Sequence, residues 1–146
     1  MKKALLFALI IVFVASVKSQ EISLNGKWSF AIDPTKVGEQ NGWHQPWGIG
    51  KDSVSSYPAV WDQVNVPHSW SLDTRYNFIG KAWYRKALKL PGGAANSSVR
   101  IRFEAVYYKC RIFLNGELVG MHEGGYTPFT VDITQKVKYE IGRAHV

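Results

Sequence analysis

Apolar and polar residues alternate with a period of two along several short stretches of this chain. The clearest are 28–32, 64–66, 99–103 and 110–114. Such alternation indicates strands that turn one face to a core and the other face to solvent. No stretch carries a sustained apolar period of 3.6 residues, and no internal repeat is visible. Short strands separated by turn residues predict an all-β domain built as a β-sandwich.

The phase of each strand predicts which residues are buried. In 28–32 we expect the even-numbered residues to face the core, whereas Ala31 faces solvent. Pro67 ends the next strand because it has no N–H to donate to the ladder. In the strand expected over 80–90, Lys86 interrupts an apolar row, which indicates an edge position or a bulge.

One hairpin is specified by its turn. Asn115 and Gly116 separate two apolar-alternating runs, and both residues of such a two-residue turn must adopt positive φ. The loop after the second strand reads His122-Glu-Gly-Gly-Tyr-Thr-Pro-Phe129 and places polar and aromatic side chains at one end of a sheet. Loops at the ends of a sandwich commonly carry its ligand contacts. We expect Gly124 and Gly125 to serve positive φ or close backbone approach.

The beginning of the chain has the architecture of a secretory signal peptide. Lys2 and Lys3 precede an unbroken apolar run over 4–17, which is shorter than the roughly 20 residues that span a bilayer. We therefore expect a signal peptide over 1–19, cleaved between Ser19 and Gln20, rather than a membrane anchor. The signal is bacterial in style, so the expected location is periplasmic or extracellular.

The last residues continue no strand pattern. Residues 141–146, Ile-Gly-Arg-Ala-His-Val, resemble the translation of a common sequencing-adapter read-through. The alternative is a natural polar loop. With the adapter reading, the domain covers 20–140 and is incomplete, because the natural product would continue beyond Tyr139.

The net charge of +7 shrinks once the signal segment is set aside. That segment holds three lysines and no acidic residue, so 15 basic and 11 acidic residues remain. The charges are scattered, and no basic stripe is interleaved with aromatic residues. Nucleic-acid binding is therefore not expected.

The chain also offers little for redox or metal chemistry. Its single cysteine, Cys110, shares the phase of Ile112 and Leu114 and is expected to pack as a small buried side chain. One thiol forms no internal disulfide, so stability must come from packing. The four histidines show no metal-ligand spacing, and no phosphate-binding loop is present. No metal or cofactor is expected.

Several motifs occur in a fixed order before and through the hairpin. They read Leu24-Asn-Gly-Lys-Trp-Ser-Phe30, Val66-Pro-His-Ser-Trp70, Gly80-Lys-Ala-Trp-Tyr-Arg-Lys86, Gly124-Gly-Tyr-Thr-Pro-Phe129 and Asp132-Ile-Thr134. Over 24–134 their order and spacing resemble the first domain of glycoside hydrolase family 2, the β-galactosidases, β-glucuronidases and β-mannosidases. The resemblance implies a jelly-roll β-sandwich similar to galactose-binding domains, here truncated before its last strands. Ser69 stands where the family often has Asp.

The resemblance also implies where the chemistry lies. Glycoside hydrolysis of the retaining kind needs two carboxyl groups about 5–5.5 Å apart, and the acidic residues of this chain are isolated. Enzymes that the chain resembles carry both catalytic glutamates on a later (β/α)₈ barrel, after an immunoglobulin-like domain. The parent would be an exo-acting retaining enzyme that removes a terminal β-linked sugar. β-Galactosidase is the first choice of specificity, followed by β-glucuronidase and β-mannosidase.

Six residues are candidates for contact with a β-linked oligosaccharide or glycoside. In β-galactosidases of the family, the loop after the hairpin sends an acidic side chain toward the sugar, which points to Glu123. Flat aromatic faces suit the C–H faces of pyranoses. For each residue the alternative is a solvated or packing role, as we expect for Trp28, Trp61 and Trp83 in the core and for Asp132 as a turn acceptor. The candidates are Glu123, His122, Tyr126, Trp43, Trp47 and Trp70.

Two further functions stay open on the sequence. The domain could be a non-catalytic carbohydrate-binding module, or it could serve only to buttress a barrel. The sequence beyond Tyr139 discriminates between an enzyme and a module, and glycan binding by the domain argues against a purely structural role.

Overall fold

The structure, a computed structural model, describes residues 19–46, 61–91 and 97–137. The signal segment up to 18 and the tail at 141–146 lie outside these residues. Within them the chain forms seven strands and no helix, as the sequence predicted. The strands are β1 (Gly26–Asp33), β2 (Asp62–Val66), β3 (Lys81–Arg85), β4 (Arg100–Phe103), β5 (Lys109–Leu114), β6 (Glu117–Glu123) and β7 (Phe129–Asp132).

The strands pair antiparallel in three groups. β1 lies between β2 and β3, β4 pairs with β7, and β5 pairs with β6. β6 packs against β7, where Gly120 lies so close to Val131 that an added Cβ would be 3.0 Å from its nearest methyl carbon. The core beneath this contact consists of Ile101, Leu114, Val131 and Ile133.

Strand β1 is buried on both faces at its end, which corrects the prediction for Ala31. Phe30 is fully buried as predicted, but Ala31 is buried as well. The reason is the central position of β1: Ala31 lies opposite Trp83 of β3, and Trp43 packs on that indole with ring centroids 6.2 Å apart. A period-two pattern assumes one wet face, and tertiary packing removed it here.

Strand β3 is at the edge of its three-stranded sheet in the part of the chain that is described, as Lys86 indicated. The strand ends at Arg85, whereas the sequence predicted strand as far as 90. Lys86 accounts for the early end, because its Nζ donates to the carbonyl oxygen of Lys27 at 3.0 Å and lies over the ring of Trp28.

The β5–β6 hairpin has the predicted turn. Asn115 has φ of 51° and Gly116 has φ of 88°, so both residues of the turn are left-handed. A β-bulge follows Ile112. Cys110 is half-buried on this hairpin, and burial raises the pKa of its thiol, in agreement with a packing role.

Candidate functional site

The loop between β6 and β7 is fastened to the chain just before β5. The backbone N–H of Gly124 donates to the carbonyl oxygen of Tyr108 at 2.8 Å, and Gly124 has φ of +145°. Gly125 lies against the ring of Tyr107, where an added Cβ would be 2.6 Å from Cδ2. Both glycines therefore serve the roles predicted for them, one through its φ and the other through close approach.

His122 is turned into the domain. Its ring is stacked on Phe129 with centroids 3.9 Å apart and an interplanar angle of 13°. Its Nε2 atom is buried and has no hydrogen-bond partner among the described residues. One face of the ring is thus taken up by packing, and the loop is anchored at this point.

Glu123 is half in solvent and belongs to an ion pair. Its carboxylate accepts from Nζ of Lys109 at 2.9 Å. The hydrogen bond and charge of Lys109, with a further hydrogen bond from Tyr108, lower the pKa of Glu123. The group is therefore an ionised acceptor at neutral pH, able to receive hydrogen bonds from hydroxyl groups.

Tyr126 projects from the same loop and is 84% exposed. Its ring lies beside that of Tyr107, which is 68% exposed, with centroids 5.8 Å apart. Tyr108, 53% exposed, follows at 5.9 Å from Tyr107. Sequence reasoning treated 105–107 only as a bend and missed these two rings. The sequence signal for them is the pair of glycines at 124–125, which allow a ring to lie against the loop.

The candidate tryptophans do not join this group. Trp43 is only 6% exposed and packs edge-on against Trp61 and Trp83. It is a core residue, so its indole offers no open face to a sugar, and the expectation of stacking at this position is corrected. Trp47 lies outside the described residues.

Trp70 belongs to a second aromatic cluster around Phe30. It is half-buried, with its ring centroid 6.1 Å from that of Phe30 and 6.3 Å from that of Tyr84. Tyr76 packs on Phe30 from another side, with centroids 4.8 Å apart. The cluster fixes the 67–76 loop against β1.

Hydrogen bonds tie the polar edges of this second cluster together. Nδ1 of His68 lies 2.8 Å from the hydroxyl of Tyr84, and Nε2 lies 3.3 Å from Oδ2 of Asp73. The guanidinium of Arg75 donates to Asp73 and holds the pKa of that carboxyl well below its usual range. Burial raises the pKa of Tyr84. The network is a brace for the loop, since its groups bond one another.

The carboxylates of the described part of the chain are mostly taken up one at a time by protein donors. Asp132 accepts from the backbone N–H of Thr134 at 2.9 Å, the turn role predicted for it. In the described ranges, no three histidine, cysteine or acidic side chains come together as a metal site would require. None of the described residues forms a helix long and apolar enough to cross a membrane. The other paired acids are Glu39 with Arg111, Asp62 with Tyr76, Asp73 with Arg75, Glu104 with Arg102, Glu117 with Lys136 and Glu123 with Lys109.

Comparison with known proteins decides the family. The model of the glycosyl hydrolases family 2 sugar binding domain matches residues 22–146. The chain belongs to this family. The family 2 domain is 42% identical over 73 residues to a β-galactosidase of Thermoanaerobacter pseudethanolicus, a match that covers 50% of this chain and 10% of that protein. It is 32% identical over 116 residues to a β-glucuronidase of Streptococcus agalactiae, covering 80% of this chain and 17% of that protein.

Solved structures of family 2 enzymes have the same fold. The β-glucuronidase of Lactobacillus rhamnosus matches with a TM-score of 0.68 and 29% identity, over 84% of this chain and 20% of that one. The Ruminococcus gnavus β-glucuronidase in complex with uronic isofagomine matches with a TM-score of 0.70 and 24% identity, over 85% of this chain and 19% of that one. The predicted β-sandwich is thereby confirmed. The family 2 domain spans a fifth or less of the length of these relatives.

Proposed function

We propose that this family 2 domain is the N-terminal sugar-binding domain of an exported enzyme that hydrolyses terminal β-glycosidic bonds. The preferred substrate is a β-galactoside, followed by β-glucuronides and β-mannosides. The observation that carries the proposal is the family match over 22–146, with named relatives that are β-galactosidases and β-glucuronidases. Partners in the same polypeptide would be an immunoglobulin-like domain and a barrel.

The catalytic acids of the proposed enzyme lie outside this chain. Two carboxyl groups must flank the scissile bond, whereas Glu123 and the other paired carboxylates of the described part bond to protein donors instead. The role left to the domain is contact with the sugar through the β6–β7 loop and support for the barrel.

The test is hydrolysis by the protein expressed from its complete reading frame. Chromogenic β-galactoside, β-glucuronide and β-mannoside are compared, and the β-galactoside is expected to react fastest. NMR of the first-formed product should show the β-anomer, because a retaining enzyme passes through two inversions. Glycan binding without hydrolysis of any of the three would instead support a non-catalytic carbohydrate-binding module.

Export has its own test. The protein recovered from the periplasm or medium of a bacterial host should begin at Gln20, as read by N-terminal sequencing. Retention of residues 1–19 in the cytoplasmic fraction would contradict the proposal of a cleaved signal.

A further inference from the structure

Three exposed tyrosines stand together where the β6–β7 loop meets the chain before β5. We name Tyr107, Tyr108 and Tyr126 the tyrosine platform. More than half of each residue is open to solvent. Neighbouring aromatic rings left in water mark a binding surface more often than a single exposed ring does, because contiguous apolar area is unfavourable in water.

The platform is held in place by backbone contacts. The hydrogen bond from Gly124 to Tyr108 joins the loop to the chain before β5, and Gly125 lies directly against the ring of Tyr107. Little side-chain freedom therefore remains to be lost at Tyr107 when a ligand binds, which favours affinity.

The rings are arranged to leave their faces open. The interplanar angle is 42° between Tyr107 and Tyr126 and 57° between Tyr107 and Tyr108. Rings tilted in this way do not cover one another. Their faces suit the C–H face of a pyranose, and the carboxylate of Glu123, bonded to Lys109 beside Tyr108, can accept from its hydroxyl groups.

The charges near the platform favour a neutral sugar. The two basic side chains that β5 turns to solvent are both matched by acids, Lys109 by Glu123 and Arg111 by Glu39. A uronate carboxylate brought to this surface would have to displace one of these acids from its cation. A neutral pyranose meets no such competition.

From these contacts we infer that the tyrosine platform binds a neutral β-linked pyranoside, of which a β-galactoside is the type. The inference deepens the proposed function and rests on it, since the sugar it names is the preferred substrate of the proposed enzyme. Tyr126 and Tyr107 supply the stacking faces, and Glu123 accepts hydrogen bonds from the sugar.

The test uses the protein expressed from its complete reading frame, with 3-fluorotyrosine in place of tyrosine. The ¹⁹F resonances of Tyr107 and Tyr126 are assigned by their loss in the single variants Tyr107→Phe and Tyr126→Phe. Titration with methyl β-galactopyranoside should shift both resonances along one saturation curve. Methyl β-glucuronopyranoside should need at least about ten times the concentration for the same shift.

Variants separate stacking from general effects. Tyr126→Ala should weaken the response of the Tyr107 resonance about tenfold, since one aromatic contact is lost. Tyr126→Phe should leave that response nearly unchanged, because the ring remains. Leu72→Ala, which truncates an exposed side chain of another loop, is the matched control and should have no effect.

The inference and the proposed function fail in different ways. Platform resonances that stay fixed at sugar concentrations saturating hydrolysis would overturn the inference and leave the enzyme proposal intact. Equal shifts with the galactoside and the glucuronide would overturn the preference for a neutral sugar. Shifts without hydrolysis of any chromogenic β-glycoside would support the platform and contradict the enzyme.

Discussion

Nε1 of Trp83 donates a hydrogen bond of 3.1 Å to Oδ2 of Asp33, a residue that is 1% exposed. The same carboxylate accepts from the backbone N–H groups of Val37, at 2.9 Å, and of Gly38, at 3.0 Å. One buried side chain thus joins β1, β3 and the turn that follows β1. Burial of a carboxylate is tolerated here because three donors satisfy it.

Removal of this carboxylate should destabilise the domain. Asp33→Ala leaves three buried donors without an acceptor, and we expect a loss of about 3 kcal/mol in the free energy of unfolding. Urea unfolding followed by tryptophan fluorescence measures it. The control is Glu104→Ala, which removes an exposed partner of Arg102 and should cost less than about 1 kcal/mol. Equal costs for the two variants would contradict a bracing role for Asp33.

The hairpin turn offers a comparison of two glycines with positive φ. An alanine Cβ at Gly26 would meet no atom within 4 Å, whereas at Gly116 it would be 2.3 Å from Oε1 of Gln45. Gly26→Ala should therefore cost only the backbone strain of about 1 kcal/mol. Gly116→Ala should cost more, because Gln45 is held by a 2.5 Å bond from Arg85 to its carbonyl oxygen. Thermal unfolding of the two variants measures the difference, and the reverse order would refute the contact.

Phe30 should be the most sensitive position of the second aromatic cluster. It is fully buried and touches the rings of Tyr76 and Tyr84, each with centroids 4.8 Å away. Phe30→Ala is expected to lower the free energy of unfolding by about 4 kcal/mol, the cost of a large cavity. Urea titration measures it, with the exposed Leu72→Ala as control, expected within about 0.5 kcal/mol of the parent. A small effect at Phe30 would show that the cluster collapses around the gap.

Stability at high pH should depend on Tyr76. Burial, together with the 2.5 Å hydrogen bond that its hydroxyl donates to Asp62, raises the pKa of Tyr76 from its ordinary value of 10.0 to about 12. A raised pKa means that the neutral form contributes stability, which is fully present below pH 10 and is lost as the pH rises toward 12. Tyr76→Phe should flatten this part of the stability curve, measured by urea unfolding between those pH values. An unchanged slope would contradict the assignment.

Local chemistry made much of the fold predictable from the sequence. The turn at Asn115 and Gly116, the loop glycines at 124–125 and the acceptor at Asp132 each follow from backbone geometry or from a side chain bonding its own turn. Such features need no knowledge of distant residues, and all of them are as predicted.

The rest depended on contacts between segments far apart in the sequence. Ala31 is buried because Trp83 and Trp43 cover the second face of β1, and nothing in the period-two pattern encodes that cover. The grouping of Tyr107 with Tyr126 arises from the same cause, since β5 and β6 must pair before the two rings become neighbours.

The close approach of Gly120 to Val131 gives the hairpin a pivot. Any larger residue at 120 would lift β6 from β7, because an added Cβ would already be 3.0 Å from Val131. The loop carrying Tyr126 begins only a few residues further along, so a small tilt at the pivot would be magnified at the sugar-facing tip. A single hydrogen atom in place of a side chain thus sets the aim of the whole arm.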